Sequence, residues 1–187
     1  MFNTYNLTTY AFSLEDKILI DTNIWLYLYP ATQSPKSQHS FMANAIKQYS
    51  EAFKKLLSAK VQIILDPLIL SEYLNRYCRI EWEGGFQLQY PKFKNFRKSQ
   101  DFKKIVTEAN KCAKQILKIC SVHSVSANSI DLSKALNIFE KGNLDFPDLL
   151  LVDICKSQNF KLMTHDSDFI YGDIEVLTVN PKLLNHR

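Results

Sequence analysis

Four glycines in 187 residues are too few for the many tight turns of an all-β sandwich. No run of about eighteen apolar residues occurs, which excludes a membrane-spanning helix. Met1–Lys17 has neither a basic cluster nor an apolar stretch of signal-peptide length. The expectation is a soluble, cytoplasmic protein with no membrane partner. Cys78, Cys112, Cys120 and Cys155 are scattered without a C-x-x-C pair, so disulfide and zinc frameworks are disfavoured. Three of the four fall on apolar faces of expected helices, where a free thiol packs as a small hydrophobe. Internal repeats and low-complexity tracts are absent.

What the chain does have is a hydrophobic content of 46%, enough for one core. Lys17–Ile20, Val61–Leu65, Phe160–Thr164 and Ile174–Val179 read as short buried strands. Between them lie helical patterns. Ile24–Tyr29 is apolar nearly all round and stops at Pro30, and Ser37–Lys60 carries Phe41, Ala45, Tyr49, Phe53 and Leu56 on one stripe. Asp66-Pro67 opens a third helix, with proline at its favoured first position and Glu72 and Arg76 on one face. A stripe from Phe102 to Ile116/Leu117 marks another helix. Leu132–Lys141 is closed by Gly142, and Asp148–Ser157 follows Pro147. Strands alternating with helices predict a parallel α/β sheet. Gly84-Gly85, the only glycine pair, is the natural break in the chain.

Acidic residues recur where the apolar runs stop. Asp21 follows Lys17–Ile20, Glu72 lies just beyond Val61–Leu65, Asp148 follows Phe146-Pro147, and Asp166 follows Phe160–Thr164. In an open α/β sheet ligands bind outside the carboxyl ends of the strands, so such a fold would gather four carboxylates in one crevice. Like charges share a small space only when protons or cations neutralise them. A divalent metal and phosphoryl chemistry are the natural consequence. Singly, each acid also reads as a helix cap, a surface ion pair or a turn residue; the joint spacing carries the argument.

Four segments resemble the motifs of PIN-domain nucleases, in order: Ile18-Leu19-Ile20-Asp21-Thr22-Asn23; Pro67-Leu68-Ile69-Leu70-Ser71-Glu72-Tyr73-Leu74-Asn75; Pro147-Asp148-Leu149-Leu150-Leu151-Val152-Asp153-Ile154-Cys155; and Leu162-Met163-Thr164-His165-Asp166-Ser167-Asp168-Phe169. The resemblance implies a three-layer α/β/α Rossmann-like domain with a central, mostly parallel sheet, cleaving RNA with Mg²⁺ or Mn²⁺. By motif, Asp21, Glu72, Asp148 and Asp166 would be the catalytic, metal-binding acids. Asp168 is either a fifth ligand or part of the turn into Phe169. Asn23 and Thr164 would orient the acids by hydrogen bonds. Hydrolysis by an activated water would leave a 5′-phosphate and a 3′-hydroxyl. Many relatives are VapC-like toxins of type II toxin–antitoxin pairs, implying a cognate antitoxin and a homodimer as possible partners. His165, beside the acids, reads better as a packing residue than as a general acid.

The middle of the chain departs from that pattern. The expected single domain, 1–187, would carry an inserted helical elaboration at about 84–128. Phe86–Lys118 holds nine bases against two acids, a net +7, leaving fourteen bases and seventeen acids, or −3, elsewhere. Such an asymmetry suits a polyanion-binding metalloenzyme. Lys92, Lys94, Arg97 and Lys98 alternate with Tyr90, Phe93 and Phe96. Either the aromatics clamp single-stranded bases while the cations hold phosphates, or they pack the lobe and the lysines solvate it. A non-catalytic RNA-binding or scaffold module of the same fold is the competing function, and stoichiometric Mn²⁺ binding separates the two. A haloacid-dehalogenase-type phosphatase would need Asp-x-Asp, whereas position 23 is asparagine.

Overall fold

A computed structural model describes residues 3–33, 36–123 and 132–186, with the side chains of 36–41 excepted. Among the described residues six strands form one sheet: β1 (Asn3–Asn6), β2 (Lys17–Ile20), β3 (Gln62–Leu65), β4 (Ser121–Val122), β5 (Lys161–Met163) and β6 (Glu175–Thr178). Their spatial order is β1-β6-β5-β2-β3-β4. Every pairing is parallel. The helices are α1 (Thr22–Leu28), α2 (Lys36–Ser58), α3 (Pro67–Glu81), α4 (Phe93–Phe96), α5 (Gln100–Ile119), α6 (Leu132–Phe139), α7 (Phe146–Gln158) and α8 (Pro181–Leu184). Parallel strands need crossovers that return the chain to the same sheet edge, and helices supply them, flanking the sheet in an α/β/α sandwich.

The four expected strands and the main helices form where the patterns place them. Their apolar runs are buried because β2, β5 and the strands beside them are covered on both faces: Ile18, Leu19, Ile20, Leu162 and Met163 are wholly inaccessible. Trp25 and Ile24 of α1 also belong to this core rather than to a surface. Phe41 and the far end of the insertion near residue 128 lie outside what is described. Two strands escaped the sequence reading. β1 is polar (Asn-Thr-Tyr-Asn), and β4 is two residues long, so neither carries an apolar signature.

The glycine pair is not a break. α3 runs on through a π-helical turn, Trp82–Phe86, that contains both glycines. A Cβ on Gly84 would lie 2.7 Å from both Cβ and O of Gln33, so glycine is required by close approach rather than by a turn. The same loop is fastened by Glu81, buried at 1% exposure, whose carboxylate accepts bonds from the Thr32 N–H and hydroxyl.

The aromatics of the basic lobe turn inward. Phe96, fully buried, stacks on Phe86 at 5.0 Å and meets Phe102 at 5.4 Å, while Trp82 packs on Phe93 at 5.5 Å. Tyr90 donates to Asp101, and the Trp82 indole N–H donates to the Tyr90 carbonyl. Of the two readings open for these aromatics, the contacts favour packing of the lobe over a base-stacking clamp, with Phe96 at its centre. Residues of such size bury too much apolar area to remain in water when they have one another. Lys92, Lys94, Arg97 and Lys98 stay exposed around them.

Candidate active site

β2 ends at Ile20, and Asp21 takes an extended conformation to cap α1, its Oδ1 accepting from the Thr22 N–H at 2.6 Å. The strand register fixes the neighbours. Ile20 pairs with Met163, and the Asp21 N–H donates to the Met163 carbonyl at 3.0 Å. Thr164 thus arrives directly beside Asp21, and its hydroxyl donates to Asp21 Oδ2 at 2.6 Å. The Asn23 amide donates to the same oxygen at 2.7 Å. Both residues expected to orient the acids contact Asp21.

Thr164 Oγ1 also accepts from the Asp166 N–H at 3.0 Å, so one hydroxyl couples the loops after β2 and β5. Asp166 caps the short 3-10 turn Ser167–Tyr171 by accepting from the Asp168 N–H at 3.0 Å. The Asp168 side chain itself is exposed, and Phe169 behind it is buried. Glu72 comes from α3: its Oε2 accepts from the Thr22 hydroxyl at 2.9 Å, and its Oε1 lies 3.8 Å from Arg76 Nη1. Asp148 stands in the first turn of α7, whose start is capped by Asp145 accepting from the Asp148 N–H at 3.1 Å. All four acids occupy the carboxyl edge of the sheet.

Their electrostatics link them. Burial pushes Asp21 up to about 6, its hydrogen bonds oppose this, and the negative charges of Glu72 and Asp166 raise it further. Asp148 is pushed up to about 8, first by burial and then by Asp145, Asp21 and Asp166. Asp145 had escaped the sequence reading. Its place three residues before Asp148 gives only a capping signal, yet it adds a fifth carboxylate to the group. Oxygen-only donors whose proton affinity is raised by crowding and burial are the set a hard divalent cation relieves. The residues fit such an ion in their chemistry. As the side chains stand, no group of three acids, histidines or cysteines among the described residues is gathered tightly enough to enclose one.

His165 packs among aromatic rings. Its Nδ1 lies 3.1 Å from the Tyr49 hydroxyl, its ring meets those of Tyr49 and Tyr27 edge-on, and burial lowers its pKa. Tyr49 donates to the Thr164 carbonyl at 2.9 Å and accepts from the Val179 N–H at 3.2 Å, tying the ends of β5 and β6 together beneath the site.

Residues 18–174 match the PIN domain family model. The chain belongs to the PIN family. Members of this family are generally nucleases, and divalent ions are typical of them. Among solved structures the chain is similar to VapBC2 from Rickettsia felis, bound to a DNA fragment from their promoter. The TM-score is 0.51 at 15% identity, over 86% of this chain and 96% of that one. At that identity the likeness concerns the fold. No curated protein sequence matches this one. The PIN match covers the sheet from β2 to the approach to β6, including all four acids and the basic lobe between α3 and β4.

Proposed function

We propose that this PIN domain is an Mg²⁺- or Mn²⁺-dependent endoribonuclease, acting as the toxin of a type II toxin–antitoxin pair. The observation that carries the reading is the gathering of Asp21, Glu72 and Asp166 at the strand ends through Thr22, Asn23 and Thr164, with Asp148 near enough to feel the charges of Asp21 and Asp166. Asp21, Glu72, Asp148 and Asp166 would hold the ion, with Asp168 within the same loop as Asp166. When bound, the ion would lower the pKa of water and neutralise charge on the phosphoryl oxygens.

The chain's own residues do the rest. Asn23 and Thr164 fix Asp21 by two charge-assisted bonds, which supplies the orientation such sites need. Thr22 holds Glu72 in the same way. A nearby carboxylate would accept the proton of the attacking water. Water attack in line would leave a 5′-phosphate and a 3′-hydroxyl. The similar Rickettsia structure is a VapBC assembly, which supports an antitoxin partner here. A homodimer and a cytoplasmic location accompany that reading.

The deciding experiment is incubation of the purified chain with RNA, with and without Mn²⁺, alongside calorimetric titration of the ion. Stoichiometric Mn²⁺ binding and metal-dependent cleavage with 5′-phosphate ends are expected. A chain that binds RNA but no Mn²⁺ is instead the scaffold module, the reading favoured by the absence of a preformed three-ligand group among the described residues.

The exposed cations of α4 and its flanks would carry RNA affinity by releasing counterions from phosphates. Replacing Lys92, Lys94, Arg97 and Lys98 together by glutamine is expected to weaken RNA binding about tenfold or more at low salt and to flatten its salt dependence. Binding isotherms at two salt concentrations check this. An unchanged slope removes these four residues from the interface.

A further inference from the structure

α1 presents more to the crevice than its opening motif. Asn23 holds Asp21, and Tyr27 stands one helical turn further along the same face. The Tyr27 ring is half-buried, tilted against Tyr49 at 6.0 Å and edge-on to His165 at 6.2 Å. That packing fixes the ring. Its hydroxyl, like those of Tyr29, Tyr77 and Tyr171, makes no hydrogen bond to any described residue, whereas those of Tyr5, Tyr10, Tyr49, Tyr73 and Tyr90 each close on a protein partner. Burial raises the pKa of Tyr27, Asp21 and Asp166 raise it further and Arg76 lowers it, so the phenol lies within electrostatic reach of all three.

Arg76 is the second half of this rim. It lies one turn beyond Glu72 on α3, with Nη1 3.8 Å from Glu72 Oε1 and 59% of its side chain exposed. An ion pair that long and that exposed is worth little, so the guanidinium keeps most of its donors for another anion. Its planar fork matches a phosphate, and a phenol O–H donates to one. The need for such donors is physical. A crevice lined with carboxylates repels an RNA backbone, and cationic or neutral donors at its mouth offset that repulsion.

We propose that Tyr27 and Arg76 bind an RNA phosphate next to the one that is cut, and so set how tightly the strand is held in the crevice. This rests on the ribonuclease reading above and names residues that grip its substrate without touching the reacting atoms. Neither belongs to the four acidic motifs. From sequence alone Tyr27 reads as one apolar position of a buried helix and Arg76 as a surface partner of Glu72.

The test uses the whole chain and a short fluorescein-labelled RNA of random sequence, bound in EDTA so that cleavage does not intrude. Tyr27→Phe removes only the hydroxyl and is expected to weaken binding about fivefold. Arg76→Gln is expected to weaken it about tenfold and to reduce the salt slope by about one. In cleavage assays with Mn²⁺ both variants should raise KM by similar factors while kcat stays near wild type. Melting temperature and Mn²⁺ affinity should not move, which separates substrate contact from a structural role. Wild-type-like RNA binding by Tyr27→Phe overturns the proposal, as does a fall in kcat with KM held. A loss seen only with Tyr27→Ala would mean that the ring stacks on a base, and overturns the phosphate assignment. If the wild type binds RNA and the variants match it, the nuclease reading survives and this one does not; a wild type that binds no RNA overturns both.

Discussion

Replacing Asp21 with alanine is expected to lower the rate of RNA cleavage by about a thousandfold or more, as loss of a principal electrostatic contact does, while the chain stays folded. Asp21 is the one acid that touches both orienting residues, through Asn23 and Thr164, and it lies at the centre of the strand ends. The variant should fold because two effects offset each other. Loss of the α1 cap costs about 1 kcal/mol. Against this, a buried carboxylate pushed from 3.8 to about 6 stores roughly 3 kcal/mol of unfavourable charge at neutral pH, and alanine releases it. The three donors left without an acceptor, Thr22 N–H, Asn23 and Thr164, take back part of that gain. Single-turnover cleavage and a thermal melt on the same preparation measure both halves. Undiminished cleavage by Asp21→Ala would sink the assignment. A variant that is inactive because it is unfolded would show in the melt.

The metal-free protein should lose stability as pH rises, and a divalent ion should restore it. Asp21 and Asp148 both have folded pKa values above the ordinary aspartate value of 3.8. The native state therefore binds more protons than the unfolded chain between about pH 4 and pH 8, and stability falls as pH rises through that interval. His165, whose pKa is lowered by burial, works in the opposite sense below about pH 6.5, the ordinary histidine value. The clean window is pH 6.5 to 8, where Asp148 dominates. In EDTA the melting temperature should drop by a few degrees across this window, on the order of 2–4 °C per kcal/mol for a chain of this size. Saturating Mn²⁺ should raise it more at pH 8 than at pH 6.5, because the ion competes with protons for the same oxygens. Asp148→Asn should abolish most of the pH slope. A flat melting profile in EDTA, or equal Mn²⁺ stabilisation at both pH values, contradicts the electrostatic picture of the site.

The positions of the acids were legible because their signals are local. A buried parallel strand shows as a continuous apolar run, and its carboxyl end is marked by the residue that caps the next helix. Asp21 after Lys17–Ile20 and Asp66-Pro67 after Gln62–Leu65 are both of this kind. The basic excess of the 86–118 segment was equally plain, since charge is counted rather than folded. Elsewhere the local signal misled. Gly84-Gly85 looked like a break, yet those glycines make room for Gln33, a residue some fifty positions away. For Tyr90, Phe93 and Phe96 the alternation with cations left stacking and packing both open, and their contacts with one another, Phe86 and Phe102 favour packing. β1 gave no signal because its order comes from β6, to which Asn3–Asn6 are paired in register with Glu175–Thr178.

By itself the sequence determined the strand-and-helix alternation, the four acids at the strand ends and helix starts, and the separation of basic from acidic segments. Periodicity, capping chemistry and charge act over a few residues and survive without the fold. Only the tertiary structure decided that Thr164 bridges Asp21 to Asp166, that Thr22 reaches Glu72, that Asp145 loads Asp148, and that the Tyr27 ring packs against Tyr49 and His165. Those contacts join residues up to 143 positions apart. Closing the sheet in one register is what brings them together, and no local pattern encodes which side chains then meet.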